Sequence, residues 1–260
     1  MNRNVATLLC ALMLLIAGCG SEIVEKSELV ERNGVQYKVN SEVGFSGRAV
    51  DSYWGFRLDE SEQKVKVKTK KKYEGNFKNG LRNGKVTNWY ENGQKAFEGN
   101  YKNGIRNGKI TRWYENGQKA FEGFFTNDEN NGKRTNWYES GQKAFEGVYK
   151  KGEITEKKEW YPNGNNKIEH IWKNGEITEK KEWYPNGNNK IEHIWKNGEI
   201  AEKKEWYENG QLSADVAFKN GKPDGKATTW YENGQMKWAE TYKDGELVGS
   251  TRWDENGREN

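Results

Sequence analysis

A tryptophan returns along this chain every 23 or 24 residues. It opens a recurring phrase, which reads WYENGQ at Trp89–Gln94. The copies of this tryptophan are Trp89, Trp113, Trp137, Trp160, Trp183, Trp206, Trp230 and Trp253. Self-similarity at a fixed period of this length is typical of repeat proteins, in which each short unit buries its apolar side chains against its neighbours. The period therefore predicts a row of stacked units.

A second turn phrase, usually Lys-Asn-Gly, runs half a period out of step with the first. Its last positions are Gly80, Gly104, Asp128, Gly152, Gly175, Gly198, Gly221 and Gly245. Two turn phrases per period, each flanked by short aromatic segments, predict two strands per repeat and one hairpin after another. One unit is duplicated without change, because Gly152–Asn174 recurs as Gly175–Asn197.

The copies of the first phrase also predict its turn type. Most read Glu-Asn-Gly, but two read Pro-Asn-Gly, at Pro162–Gly164 and Pro185–Gly187. Proline fixes φ near about −65°, which suits the first central position of a type I turn but not a type I′ turn. We therefore expect three-residue loops whose glycine forms a left-handed bulge. Asp128 is expected to adopt a left-handed conformation in place of glycine.

The composition favours many short aromatic strands over disorder. Only 33% of the residues are hydrophobic, yet there are 12 Trp, 13 Tyr and 9 Phe, and disordered chains are poor in aromatic residues. Alternation should place Phe97 and Tyr101 on one face, and should turn the neighbours Trp113 and Tyr114 to opposite faces. We predict an all-β protein, a single-layer, elongated antiparallel sheet of consecutive β-hairpins with a solenoid-like twist. The net charge of +4 gives no indication of a nucleic-acid partner.

Residues 1–18 have the features of a secretory signal. Arg3 supplies a basic start, Val5–Ala17 is apolar, and Ile16–Cys19 reads IAGC. This ending resembles the lipobox of bacterial lipoproteins, in which the cysteine becomes the first mature residue and is acylated; an ordinary signal peptide with a chance cysteine is the alternative. Lipidation of Cys19 would leave the mature chain without a free thiol for a disulfide or a metal site. By the same resemblance, Gly20 favours the outer membrane.

The repeats resemble a known family. The segments YEGNFKNGLRNGK (Tyr73–Lys85) and FEGNYKNGIRNGK (Phe97–Lys109), joined to WYENGQKAFEG, are similar to MORN repeats, the membrane occupation and recognition nexus motif, in their bacterial, antitoxin-type variant. The middle units depart from the pattern, since Glu153–Glu205 lacks the Arg-Asn-Gly-Lys phrase. We divide the chain into a lipoprotein signal peptide at 1–18, a tether at 19–32, a degenerate first repeat with an insertion at 33–72, and repeats at 73–260.

We find no residue pattern that predicts catalysis, a cofactor or a metal site. His170 and His193 occupy the same position of the duplicated unit, so they should lie two strands apart, about 9–10 Å, too far to share one zinc ion easily. The most repeated acid, Glu91, is replaced by Pro162 and Pro185 in equivalent turns, which indicates a turn position. We therefore predict that the protein is not an enzyme.

Two groups of residues are candidates for binding. One is the tyrosines that follow the repeated tryptophans, whereas we expect the tryptophans themselves to form the core. These tyrosines are Tyr90, Tyr114, Tyr138, Tyr161, Tyr184, Tyr207 and Tyr231. The other is the lysine-rich segment Lys64–Lys72, which would contact anionic lipid or an acidic partner, or would be a solvated edge strand whose lysines discourage pairing.

The predicted function is that of a protein-interaction scaffold in the cell envelope, anchored by lipid at Cys19, such as palmitate, and most readily placed at the outer membrane. An envelope glycan- or lipid-binding module is the first alternative, with a polysaccharide rather than a protein as the partner. The family resemblance alone implies a further alternative, an antitoxin-like component of a toxin–antitoxin pair.

Overall fold

The computed structural model describes residues 22–260, so the predicted signal peptide and Cys19 lie outside the described residues. The described chain consists almost entirely of β-strands joined by tight turns. The strands are β1 (Ile23–Glu25), β2 (Leu29–Arg32), β3 (Val35–Lys38), β4 (Gly47–Leu58), β5 (Lys64–Lys78), β6 (Leu81–Trp89), β7 (Lys95–Lys102), β8 (Ile105–Trp113), β9 (Lys119–Thr126), β10 (Glu129–Trp137), β11 (Lys143–Lys150), β12 (Glu153–Trp160), β13 (Asn166–Lys173), β14 (Glu176–Trp183), β15 (Asn189–Lys196), β16 (Glu199–Trp206), β17 (Leu212–Lys219), β18 (Lys222–Trp230), β19 (Met236–Lys243) and β20 (Glu246–Arg252). A 3-10 turn, Lys26–Glu28, lies between β1 and β2. Nowhere in residues 22–260 does a helix reach the length and apolar character that crossing a membrane requires.

The strands β1 and β4–β20 belong to one sheet of 18 strands, and β2 pairs with β3 in a sheet of two. The hairpins follow one another along the chain and pair in antiparallel fashion, whereas β1 pairs with β4 in parallel. This arrangement confirms the all-β prediction of consecutive hairpins. By contacts, the described chain divides into two compact units, residues 22–93 with 101–105, and residues 94–100 with 106–260.

In the first unit, the segment before the repeats folds over the turn between β5 and β6. The Gly80 amide donates to the Phe45 carbonyl at 2.7 Å, and the Gln36 amide donates to the Gly80 carbonyl at 2.9 Å. The Phe45 ring lies 6.0 Å from the Phe77 ring. A Cβ at Gly44 would lie 2.6 Å from the Asn79 carbonyl carbon, so this close approach requires glycine. Residues 22–32, the described part of the predicted tether, contain β1, the 3-10 turn and β2, so this part of the chain is folded.

The predicted insertion is a long hairpin. Strand β4 pairs with β5 from Gly47 and Phe77 out to Leu58 and Lys64, with register shifts near Ser52. Of strand β5, only the Tyr73–Lys78 part pairs with β6. Residues 52–72 therefore form a two-stranded extension, which we call the hairpin arm.

In the second unit, the turn after each repeated tryptophan has the predicted three-residue form. The Gly117 amide donates to the Tyr114 carbonyl at 3.0 Å, and the Tyr114 amide donates to the Gln118 carbonyl at 2.9 Å. Gly117 has φ +84°. The same bonds close the proline-containing turn at Tyr161–Asn165, so the prediction drawn from the prolines is confirmed.

The other turn of each repeat is the tighter, two-residue kind. Lys173 pairs with Glu176 across Asn174 and Gly175, whose φ angles are +55° and +83°. Two consecutive left-handed residues define a type I′ turn, for which Asn-Gly is the favoured sequence. Asp128 has φ +68°, as expected.

The core of the sheet is thin and uses glycine beneath aromatic rings. The Phe121 and Phe125 rings lie 6.3 Å apart on either side of buried Gly123. Ile110, which pairs with Gly123, is only 2% exposed. Thr111, on the opposite face, is 5% exposed. The repeated tryptophans are all half-buried, so they contribute to the core only in part.

Candidate interaction surfaces of the repeats

The tyrosines predicted as a binding surface link successive hairpins. In the second unit each hydroxyl donates to the backbone carbonyl of the tryptophan in the next repeat. These hydrogen bonds are Tyr114–Trp137 (2.7 Å), Tyr138–Trp160 (2.8 Å), Tyr161–Trp183 (3.0 Å), Tyr184–Trp206 (3.0 Å), Tyr207–Trp230 (2.8 Å) and Tyr231–Trp253 (3.0 Å). Tyr53 makes the same bond to Trp89 in the first unit, at 2.9 Å, although it was not among the predicted residues. Tyr90 is half-buried. The row of tyrosines therefore has a structural role, because its hydroxyl groups connect each hairpin to the next.

The turns are linked in the same way. The Asn116 side-chain amide donates to the Glu139 carbonyl of the next turn at 2.8 Å, and Asn163 donates to the Pro185 carbonyl at 2.7 Å. A turn in one repeat thus holds the corresponding turn in the next. Proline or glutamate serves equally well as the acceptor, because only the backbone oxygen is used.

Beside these turns the tryptophan rings lie under lysine side chains. The Lys119 ammonium is 5.6 Å from the centre of the Trp137 ring, and the Lys143 ammonium is 5.5 Å from the Trp160 ring. An ammonium group at this distance over an indole is held by a cation–π attraction. A cleft of about 500 Å³ lies beside one such pair. Its lining residues are Gln94, Lys95, Trp113, Asn116, Gly117 and Gln118.

One face of the sheet in the second unit carries a row of ion pairs, which we call the charge ladder. Lys158 lies 2.8 Å from Glu169, Lys181 lies 3.2 Å from Glu192, and Lys204 lies 3.9 Å from Asp215. In an earlier repeat of the same row, Lys133 and Lys143 lie within 2.9 Å of Glu146. Burial of the Glu146 carboxyl opposes ionisation, but hydrogen bonds from these lysines hold its pKa below the ordinary value.

The opposite face carries the two histidines. Each takes the place that Gly99, Gly123 and Gly147 hold in earlier repeats, because His170 pairs with Lys157 and Lys180 as Gly147 pairs with Arg134 and Lys157. The His170 ring packs edge-on against Trp172 at 5.7 Å, and His193 packs against Trp195 at 5.8 Å.

The Nε2 atoms of both histidines are buried and have no hydrogen-bond partner among the described residues. The nearest acid of His193 is Glu205, whose Oε1 is 3.5 Å from Nε2, too far for a well-formed hydrogen bond. Burial, followed by the charges of Lys157 and Lys180, lowers the pKa of His170. Within residues 22–260, no three His, Cys, Asp or Glu side chains are grouped so that they could hold a metal ion.

Comparison with known families finds a similarity in part of the repeat region. Five segments match the model of the MORN repeat variant, at residues 82–103, 106–127, 130–151, 199–220 and 223–244. Each segment contains a strand, the three-residue turn and the following strand; in residues 106–127 these are most of β8, the turn after Trp113, and β9. The duplicated units between Gly152 and Asn197, in which histidine replaces glycine, lie outside the matched segments. The comparison with curated proteins gave no match.

Proposed function

We propose that this protein, built of MORN repeats, is a lipid-anchored interaction scaffold of a bacterial cell envelope. The observation that supports a scaffold is the recurrence of the same surface groups once per repeat. In the second unit the tyrosine bonds recur in each repeat, and the lysine–tryptophan pairs and the charge ladder recur over several successive repeats. Equivalent groups two strands apart are separated by about 9–10 Å. Such a surface suits a partner that contacts several repeats at once.

The charge ladder supports a protein as that partner. Its lysines and acids alternate in fixed register across paired strands, so the order of charges along the sheet is defined. Exposed ion pairs contribute little to stability, about 0–1 kcal/mol each. Complementary charges, in contrast, select a partner and fix its register.

The anchoring part of the proposal rests on the lipobox-like IAGC segment at Ile16–Cys19. The folded region begins close behind it, since the Arg48 amide donates to the Glu22 carbonyl at 2.7 Å. Three residues of extended chain span at most about 10 Å. Lipid on Cys19 would therefore hold the first unit close to the membrane surface.

Crosslinking in intact cells, followed by mass spectrometry, tests this function. The wild-type chain should appear in the membrane fraction with acylated Cys19 and should capture a defined envelope protein. Replacing the charge ladder acids Glu169 and Glu192 by lysine should abolish that capture while the protein stays acylated. A Cys19→Ser chain that is fully active in the cytoplasm would contradict the anchoring proposal and would favour the antitoxin-like alternative.

The cleft beside Trp113 favours one second candidate, binding of an envelope polysaccharide. An indole ring flanked by amide and ammonium groups is a typical sugar-binding combination, because the ring stacks on the sugar and the polar groups bond its hydroxyls. Retention of the protein on isolated peptidoglycan or lipopolysaccharide, with loss of retention in Trp113→Ala, would support it. Equal retention of the wild-type protein and Trp113→Ala, or retention of neither, would contradict polysaccharide binding at this cleft.

A further inference from the structure

The hairpin arm exposes three large apolar side chains in a row. Trp54 is 51% exposed, Phe56 is 71% exposed and Leu58 is 62% exposed. They alternate along β4 and therefore point to one face of the arm. Their cross-strand partners on β5, which share that face, are Lys68, Lys66 and Lys64 respectively. We call these six residues the arm face.

The lysines of the arm face have few partners within the protein. Lys64 and Lys66 form no ion pair within residues 22–260, whereas Lys68 pairs with Glu25. The Lys66 ammonium lies 4.8 Å from the centre of the Trp54 ring. Just beyond the arm face, Lys71 pairs with Glu74 at 2.9 Å and Lys72 lies 3.7 Å from Asp51. The free positive charge is thus concentrated next to the exposed apolar row.

The fold alone does not account for this combination. Lysines on a strand edge discourage pairing with other chains, which would explain Lys64 and Lys66. The same need would not place Trp54, Phe56 and Leu58 in water on the same face. A two-stranded ribbon is marginally stable in water by itself, so an apolar face on it indicates a surface that is covered in the working protein.

From this geometry we propose that the arm face is a docking surface for an anionic lipid bilayer. Tryptophan and phenylalanine rings fit the boundary between headgroups and acyl chains, and lysine stems let the ammonium groups reach the phosphates above it. An acidic protein would satisfy the lysines but not the apolar row, and a purely apolar protein patch would bury the lysines unpaired. An anionic bilayer satisfies both.

The position of the arm supports the same occupant. Strand β4 carries the arm face at one end and pairs with β1 at the other, through Arg48–Val50. The described chain begins beside that end, at Glu22. The ten residues from Arg48 to Leu58 span about 33 Å. The acidic tip, with Asp59, Glu60 and Glu62, disfavours insertion of the tip, so the arm lies along the membrane surface. The docking surface does not depend on the lipid anchor, although the two would act on the same bilayer.

Position-specific fluorescence tests the proposal in the full chain, with Cys10→Ser and Cys19→Ser providing a thiol-free background. An environment-sensitive dye is attached to Phe56→Cys on the arm face or to Arg57→Cys, the next residue, on the opposite face. With phosphatidylcholine vesicles that contain phosphatidylglycerol, the dye at 56 should shift to the blue and be quenched by spin-labelled lipid, while the dye at 57 should not. Equal signals at both positions, or none at 56, would overturn the proposal, and so would an equal shift with polyglutamate in place of vesicles.

The role of the lysines is tested with a matched pair of variants. Near an anionic surface each lysine should strengthen binding about fivefold, so Lys64→Gln/Lys66→Gln should weaken the 56-dye response to vesicles on the order of 25-fold. Lys102→Gln/Lys219→Gln removes the same net charge from two exposed turn-flanking lysines and should leave the response unchanged. An equal effect of both pairs would overturn a specific arm face. Because Cys19 is replaced in all of these variants, the dye reports the arm without any contribution from lipid at that position, and a failure here would leave the proposed anchoring unaffected.

Discussion

At the scale of single residues, the thin sheet depends on glycines that lie beneath aromatic rings. A Cβ at Gly99 would lie 2.6 Å from the Ile110 Cδ1 atom and 2.7 Å from the Phe97 Cζ atom. In the duplicated unit, His170 stands in the position of Gly99, and Ile168 stands in the position of Phe97. The larger side chain thus occurs where the covering ring is absent.

This packing predicts a cost for the smallest possible side chain. Gly99→Ala should lower the free energy of unfolding by about 1–3 kcal/mol, because Ile110 and Phe97 must both move. Gly249→Ala is the matched control, since a Cβ there would meet no atom within 4 Å. Urea unfolding of the two variants measures the difference. Equal stabilities would contradict the packing described for Gly99.

The histidines predict a dependence of stability on pH. Burial lowers the pKa of His170 and His193 below the ordinary value of 6.5. As the pH falls through that value, the unfolded chain binds protons before the folded chain does, so the free energy of unfolding decreases. The surrounding groups are Lys157, Lys180 and Lys203, with Glu159, Glu182 and Glu205.

A double variant isolates this effect. In His170→Gln/His193→Gln, the loss of stability between about pH 7.5 and pH 5.5 should largely disappear. Burial raises the pKa values of Glu159 and Glu182, but the hydrogen bonds and positive charges of neighbouring lysines together lower them below the ordinary 4.5, so the contribution of these acids is lost only at lower pH. Thermal unfolding at several pH values separates the two ranges. An unchanged slope between pH 7.5 and 5.5 would contradict the assignment to the histidines.

At the scale of elements, each repeat has two turns of different construction. The three-residue turn tolerates Glu or Pro at its first position, whereas the two-residue turn needs left-handed residues at both positions. One copy of the second turn has lysine in the place of asparagine, at Lys151, with φ +51°. Lysine has no side-chain group that stabilises this conformation locally, unlike asparagine.

Asparagine should therefore stabilise that turn. Lys151→Asn is expected to raise the free energy of unfolding by about 1 kcal/mol. Lys150→Asn removes the same charge from the adjacent strand residue and should give no gain. A comparison of the midpoints of urea unfolding provides the measurement, and a gain in both variants would point to charge rather than to the turn.

The tyrosine bonds between hairpins give a second prediction at this scale. Tyr207→Phe removes the 2.8 Å bond to the Trp230 carbonyl and should cost about 1 kcal/mol, with the strands intact by circular dichroism. Tyr149→Phe is the control, because its hydroxyl forms no hydrogen bond within the described part of the chain. If both variants lose the same stability, the hydroxyl bond is not the cause.

At the scale of the whole molecule, the repeat period and the copies predicted the consecutive hairpins, and the two prolines predicted the three-residue turn. Several features could not be predicted in this way. The parallel pairing of β1 with β4 involves Ile23–Glu25, which lies outside any repeat and has no copy for comparison. The tyrosine bonds require the register between hairpins, which no single copy contains. The arm face depends on which residues of Trp54–Leu58 oppose Lys64–Lys68, and register shifts near Ser52 set that pairing.

The exact duplication of one unit provides a test of how stability is distributed along the second unit. Gly152–Asn174 and Gly175–Asn197 are identical, so deletion of residues 152–174 brings together strands with the same side chains that they already contact. If each hairpin interacts only with its neighbours, the shortened protein should fold, and its urea m-value should fall by about one tenth, in proportion to the surface lost.

A deletion of one strand should behave differently. Removing residues 166–175 takes out β13 and its turn, so every later strand would run in the opposite direction and Tyr161 would no longer meet the Trp183 carbonyl. This protein should lose its cooperative unfolding transition, as followed by tryptophan fluorescence. Cooperative unfolding of both deletion proteins, with equal stability, would contradict the nearest-neighbour description, because it would mean that the register between hairpins does not determine the stability of the sheet.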